Sequence, residues 1–345
     1  MDTASLPMGG NQSAADSQPA VAGGDVLVAI PVLNEEAHIE ACIRSLMSGD
    51  SRLAAADFVV VDGGSSDATR AIVERLGREF SNLRLMVNPR KLQSAAVNLA
   101  SEGAKDKQRI LVRCDAHAVY PPGYVMKVAD SLVQRGCASV VVPMDAMGEG
   151  CFQRANAWVV DTPFGSGGSQ HRGGRKSGYV DHGHHAGFDL KIFATAGGYD
   201  ETFSHNEDAE FDARLRKIGG KIFLDADIRL GYFPRASLRA LAKQYFNYGK
   251  GRARTLMKHG ERPRLRQMIP PATLVACLAG LAIAPLNPVA LVLPGGYVAA
   301  LALVSAGMAV KHKSACGLLA GLASAGMHMP WSAGFFWQMA KGQRP

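Results

Sequence analysis

Short apolar runs at 26–32, 58–61, 83–87, 110–114 and 138–142 alternate with helix-like segments through the first part of the chain. This alternation admits few folds. Successive strand–helix–strand units cross over right-handed and lay their strands parallel, with helices covering the sheet. The intervening segments have the matching period. Asn34 is placed to cap a helix, with Glu35 and Glu36 in its first turn and Ile39, Ile43 and Leu46 on one face. A second helix starts near Asp67, with Ala68, Ile72 and Leu76 inward, and a third covers 94–102. Pro122 fits the first turn of a fourth, whose inner face is Val125, Val128 and Leu132. The predicted class is α/β with a Rossmann-like, mostly parallel sheet. Its ligands belong in the crevice beyond the strand C-termini.

Acids stand at that crevice. Asp62 closes the second run, Asp115 closes the fourth, and Asp208 lies in the helix-like segment 205–215. Three such acids, one of them free to act as a base, suit a phosphorylated donor and a metal. The turn Asp62-Gly63-Gly64-Ser65-Ser66-Asp67 leaves backbone N–H groups pointing outward, and Asp67 reads as the cap of the next helix. A carboxylate at Asp62 can accept the imide N–H of a uracil ring. Asp115-Ala116-His117 is either a hydrogen-bonded loop or a site for Mn²⁺ or Mg²⁺ bridging a diphosphate.

The glycine-rich stretch 144–185 is long for a connection, so it is a functional or a flexible loop. Its Gly173-Gly174-Arg175-Lys176-Ser177 has the wrong spacing for a phosphate-binding P-loop. His182, His184 and His185 line an acceptor site, form a solvated loop or cluster on a metal. Arg172, Arg175 and Lys176 could meet an acceptor's phosphates, whose oxygens match guanidinium geometry.

Composition divides the chain. Mean hydropathy is near zero, but 1–267 reads as soluble and 268–337 is almost free of charge. The net charge is +8, and the ten Lys/Arg with one Glu between Arg235 and Arg266 alone contribute +9. Beside an apolar region, such a segment implies anionic lipid and not nucleic acid. The expected domains are a disordered tail at 1–24, the α/β domain at 25–235, a basic amphipathic juxtamembrane segment at 236–267 and a transmembrane region at 268–345. About three spans are expected there, at 268–286, 289–310 and 315–337. The tail has neither a basic start nor an apolar core, unlike a signal peptide. The helix expected over 237–257 lies on the inner leaflet or packs on the domain. Six cysteines without a CxxC pair are expected to be reduced packing residues in a cytoplasmic setting. Lys311, His312 and Lys313 return to the cytoplasm if the basic segment lies on that side, which implies the cytoplasmic (inner) membrane.

Pro31-Val32-Leu33-Asn34-Glu35-Glu36, Val61-Asp62-Gly63-Gly64-Ser65-Ser66-Asp67, Asp115-Ala116-His117, Gly197-Gly198-Tyr199-Asp200-Glu201 and Glu207-Asp208 follow one another in a telling order. Over roughly residues 25–235 the chain resembles family 2 inverting glycosyltransferases of the GT-A fold. Within them it is most similar to succinoglycan-type exopolysaccharide glucosyltransferases. That resemblance implies roles. Pro31, Leu33 and Glu35 would line the nucleoside pocket, and Asp62 would read the uracil. Asp115 would meet the ribose and diphosphate and, with His117 in the usual second-Asp place, hold Mn²⁺ or Mg²⁺. Asp208 would be the general base. Arg172, Arg175, His184 and Gln244 are candidate acceptor contacts. Gly63 replaces a frequent second Asp, and Tyr232 stands where many relatives place a His near the metal.

The implied activity moves a hexose, glucose by resemblance, from a UDP-sugar to a polyprenyl-diphosphate-linked saccharide. Two alternatives are a non-catalytic membrane-tethered nucleotide-sugar-binding scaffold and a processive polysaccharide synthase. Intact Asp62 and Glu207-Asp208 argue against the first. The missing Arg-Trp pair after Gln244 argues against the second.

Overall fold

A strand packed on both faces presents apolar side chains in both directions, and β1 (Val26–Val32) does so along its length. Val28 and Ile30 enter one core cluster and Leu27 and Ala29 the other, as the two-residue period of a strand requires. The structure, a computed structural model, describes residues 21–169 and 172–342. The expected tail therefore lies largely outside the described residues, but its end belongs to the fold. Val21 is buried in the first core cluster and its carbonyl accepts Arg52 Nη1 at 3.1 Å, so order extends to residues the sequence assigned to the tail.

After β1 come α1 (Ile39–Leu46), β2 (Asp57–Asp62), α2 (Thr69–Glu79), β3 (Leu83–Val87), α3 (Gln93–Glu102) and β4 (Ile110–Arg113). The expected Asn34 cap is not formed. Asn34 adopts a φ of 57° and its side chain accepts the Ser66 N–H at 2.8 Å, which ties the β1 and β2 loops together and delays α1 to Ile39. Asp67 lies one residue before the N-cap of α2, which is Ala68, and its side chain accepts the Thr69 N–H at 3.0 Å. Next follow β5 (Ala118–Val119), α4 (Tyr124–Arg135), β6 (Ser139–Val142) and β7 (Met144–Ala146).

The stretch expected as a loop contains α5 (Cys151–Val160), α6 (Pro163–Ser166), β8 (Gly178–Val180) and the start of β9 (His184–Asp189). Then come α7 (Leu190–Thr195), α8 (Glu207–Lys217), β10 (Ile222–Leu224) and β11 (Leu230–Tyr232). The main sheet has the order β3-β2-β1-β4-β9-β6-β10-β8. It is mostly parallel: β9 runs antiparallel to β4 and β6, and edge strand β8 antiparallel to β10. A second sheet, β5-β11-β7, stands beside the strand ends.

Helix α9 (Leu238–His259) is followed by α10 (Leu265–Ile283), α11 (Val292–Lys311) and α12 (Ala320–Lys341). A third cluster joins Val159 and Val160 of α5, Leu241 of α9 and Ala320, Ala323 and Met327 of α12. Thus α9 packs on protein, as one of its two readings held. Contact with α12 is close at Gly249, where a Cβ would fall 1.9 Å from the Trp331 carbonyl oxygen. Two segments, Leu265–Ile283 and Pro288–Lys311, are long and apolar enough to cross a membrane by length and composition, with only 11% and 6% of their apolar windows buried. The third expected span is α12. It does not meet that criterion, since it carries polar Ser324, His328 and Gln338; separately, it turns one face onto α9.

Cys151 and Cys316 form a disulfide, which corrects the expectation of six reduced thiols. The two are 165 residues apart and meet because the turn before α12 packs on α5, information no local spacing carries. Cys42, Cys114 and Cys137 are free and buried, as expected of packing residues.

Candidate active site

Four elements converge on one polar cluster. Strand β4 ends in buried Arg113, followed by Asp115; β9 supplies His184 and His185; the 197–201 loop supplies Tyr199; α8 begins with Glu207 and Asp208. Arg113 Nη1 donates to Asp208 Oδ1 at 2.5 Å and to the Tyr199 hydroxyl at 3.1 Å. His185 Nδ1 lies 2.6 Å from that hydroxyl and 3.2 Å from Asp208 Oδ1. Its other nitrogen is 2.7 Å from Asp212 Oδ1, and Asp212 Oδ2 is 2.7 Å from His182 Nδ1. Asp208 and Asp212 stand one helical turn apart, so both carboxylates of α8 face the buried His185 between them.

Burial alone would raise the Asp208 carboxyl, but the charges of Arg113 and His185 outweigh it and hold the group well below the usual carboxylate range. His185 shows the converse. Burial lowers it, yet Asp212 and Asp208 push it up to about 10. Burial first, then the Asp208 charge, raises Glu207 to about 7. His184, desolvated and only partly offset by Asp115, falls to about 4 and is a neutral imidazole near neutral pH.

Asp115 Oδ1 accepts Gln93 Nε2 at 2.8 Å, and Asp115 Oδ2 lies 3.9 Å from His184 Nε2. Burial works against the Asp115 charge, but Arg113, His184 and His117 lower its pKa overall. His117 Nδ1 lies 2.9 Å from Glu35 Oε1, and that contact raises the imidazole. Among the described residues no group of three or more His, Cys, Asp or Glu is arranged to hold a metal, so the three histidines do not form the metal cluster. Asp115 with one imidazole suits a hard divalent ion only if a ligand's phosphate oxygens complete the shell, a usual arrangement for Mg²⁺ or Mn²⁺ at phosphates.

A cavity of about 1500 Å³ opens on this cluster. It gathers Asp115, His117, Asp208, Arg172, His184 and Gln244 from the sequence expectations. Pro31, Leu33, Glu35 and Asp62 are not on its wall; they stand at the ends of β1 and β2 and in the loop after β1, linked to it by the Glu35–His117 contact. Asp62 is fully buried, and its carboxylate accepts the N–H groups of Gly64 at 3.1 Å and Ser65 at 3.0 Å. Arg175 is exposed and away from the cavity.

Sequence reading missed Arg113, Tyr199 and Asp212 and left His185 unassigned. Two signals were present: an ionised side chain inside the apolar run 110–114, and an acid four residues after Asp208.

The profile described as Glycosyl transferase family 2 matches residues 27–196. With the likeness reported next, this places the chain in glycosyl transferase family 2, a family of GT-A fold enzymes that transfer hexoses. The chain is 42% identical over 319 residues to "Succinoglycan biosynthesis protein ExoA" of Rhizobium meliloti (strain 1021), covering 92% of this chain and 96% of that protein. It is 25% identical to a dolichyl N-acetyl-alpha-D-glucosaminyl phosphate 3-beta-D-2,3-diacetamido-2,3-dideoxy-beta-D-glucuronosyltransferase of Methanococcus voltae, over 68% of this chain and 74% of the relative. Among solved structures, a mannosyltransferase from Pyrobaculum calidifontis in complex with GDP-Man and Mn²⁺ superposes with a TM-score of 0.63 at 18% identity, covering 93% and 91% of the two chains. That likeness extends over the fold, C-terminal helices included.

Proposed function

We propose that this glycosyltransferase moves a hexose from a UDP-sugar onto a polyprenyl-diphosphate-linked saccharide at the cytoplasmic face of the inner membrane, in exopolysaccharide synthesis. The observation that carries the reading is the cavity itself. It joins an ionised Asp208 to the apolar helices α10 and α11. The chemistry is a single displacement: the acceptor hydroxyl oxygen bonds to the anomeric carbon, the bond to UDP breaks on the opposite face, and Asp208 takes the proton. Both charged contacts of Asp208 use Oδ1, which leaves Oδ2 for the hydroxyl.

Pro31, Leu33 and Glu35 would border the nucleoside. Asp62, whose Oδ1 accepts only the Ser65 N–H and so retains a lone pair, would accept the uracil imide. Asp115, with His117, would hold Mn²⁺ or Mg²⁺, which supplies positive charge at the departing diphosphate. His184, Gln244 and Arg172, which line the cavity, would meet the acceptor, and Arg175 could reach an acceptor only from outside the cavity. The basic segment and α10–α11 would hold the site at the bilayer surface.

The test supplies membranes containing the protein with a panel of UDP- and GDP-sugars and a lipid-linked saccharide, with and without EDTA. The expected result is sugar transfer from a UDP-hexose that stops on chelation and recovers with Mn²⁺ or Mg²⁺. Release of UDP with no sugar on the lipid fraction would overturn the acceptor assignment; full activity in EDTA would remove the metal.

A further inference from the structure

The cavity has chemistry besides that of the reacting groups. Arg172 lays its guanidinium over the Tyr232 ring, 4.6 Å from the centroid, with its Nη1 buried and without a hydrogen-bond partner. Arg252 faces the same space, and no carboxylate lies within 4.0 Å of it among the described residues. Burial and the like charges of Arg264 and Arg266 pull its guanidinium down to about 10. Arg266 donates to the carbonyls of Gly167 and Gly168, which orient it at the cavity's edge. Arg172 and Arg252 are desolvated cations with no carboxylate paired directly with them among the described residues, which is costly unless an anion arrives, and exposed Arg266 adds its charge at the mouth. The cavity's own acids, Asp115, Glu207 and Asp208, are engaged with Arg113.

Beyond these arginines the wall becomes apolar in a regular way. Ile269, Thr273 and Ala276 line it from α10, and Leu293, Tyr297 and Ala300 line it from α11. Each set has the i, i+4, i+7 spacing of one helix face. The cavity thus has a cationic collar followed by a trough between two helices apolar enough for a bilayer.

We propose that Arg172, Arg252 and Arg266 bind the diphosphate of an isoprenoid lipid and that its chain lies in the α10–α11 trough. The assignment rests on the lipid-linked acceptor reading and names where that lipid's head and chain sit. Guanidinium groups suit it because they match phosphate oxygens in paired hydrogen bonds. The trough excludes free nucleotides as the natural occupant, since they have no apolar tail to fill it.

The experiment uses full-length protein in nanodiscs and calorimetric titration with farnesyl diphosphate, inorganic diphosphate, farnesol and UDP. Farnesyl diphosphate should bind about tenfold or more tightly than inorganic diphosphate or farnesol. Arg172→Ala should weaken it about tenfold, with Arg172→Lys intermediate. Thr273→Trp should abolish the advantage of the chain while keeping affinity for inorganic diphosphate. UDP affinity should be unchanged in all three variants, which also reports that they fold. Equal binding of farnesyl and inorganic diphosphate would overturn the proposal in favour of a simple anion site. A parallel loss of UDP affinity in Arg172→Ala would move that arginine to the donor. If farnesyl diphosphate binds as expected but no sugar reaches any lipid acceptor, the proposed function falls and the lipid site stands. If transfer proceeds undiminished in Arg172→Ala and Thr273→Trp, the reverse holds.

Discussion

A carboxylate that removes a proton from a hydroxyl must be ionised and must keep its orientation, and Asp208 meets both needs through Arg113 and His185. Asp208→Asn should lower the transfer rate by ~10²–10⁴-fold with UDP affinity nearly unchanged, because only the proposed base is lost. Single-turnover rates beside UDP titrations check this, and near-normal turnover would remove Asp208 from the chemistry. His185 makes a prediction about stability. Its folded pKa of about 10 exceeds the unfolded value of about 6.5, so its contribution is complete below pH ~6.5 and lost as pH rises towards 10. His185→Gln leaves Asp208 and Asp212 without their shared cation and should cost about 3–5 kcal/mol below pH 6.5. The deficit should shrink as pH rises, as read from thermal unfolding at several pH values. A deficit that stays constant with pH would mean that His185 is neutral and serves only in packing.

At the scale of elements, the α9–α12 contact decides how the catalytic domain meets the C-terminal helices. A Cβ on Gly334 would fall 2.0 Å from the Phe246 carbonyl oxygen, and backbone cannot yield as a side chain does. At Gly326 the obstacle is Leu238 Cδ1 at 2.6 Å, the mobile end of a side chain. Gly334→Ala should therefore destabilise the protein by about 1–3 kcal/mol. Gly326→Ala should be close to neutral, since the helix propensity it gains, about 1 kcal/mol, offsets a small repacking. Thermal unfolding of the detergent-solubilised variants distinguishes them; equal losses would show that the helices separate freely. The Cys151–Cys316 disulfide and the stack of Trp158 on His312, 4.1 Å between ring centroids, fasten the same two parts from the other side.

For the whole molecule, α10 and α11 present Leu281, Leu303 and Val310 more than half exposed, which is stable against lipid and not against water. Full-length protein should float with vesicles and resist alkaline carbonate extraction. Quantitative release by carbonate would leave surface charge as its only hold. Deletion of α10–α12 should not yield a well-behaved soluble enzyme, because it uncovers Val159, Val160 and Leu241, which α12 buries.

Local pattern carried the parallel sheet: strands buried on both faces must read as apolar runs, and capping and helical period are properties of neighbouring residues. The order of short motifs likewise pointed to Asp115, His117 and Asp208. Long-range pairing was legible nowhere in the chain. The antiparallel insertion of β9 brings His185 to Asp208, Arg113 crosses to the start of α8, and Cys151 meets Cys316 across 165 residues. Even Asn34, a helix cap by its neighbours, became a clasp between two loops once Ser66 came within reach. Sequence alone settled the strands and helices of the first half, where that free energy is local, but not α5, α6, β8 and the start of β9, which lie in the stretch expected as a loop and take their order from the elements they pack on. Which buried charge finds which partner depends on the packing of elements far apart in the chain, and only the tertiary structure decided it.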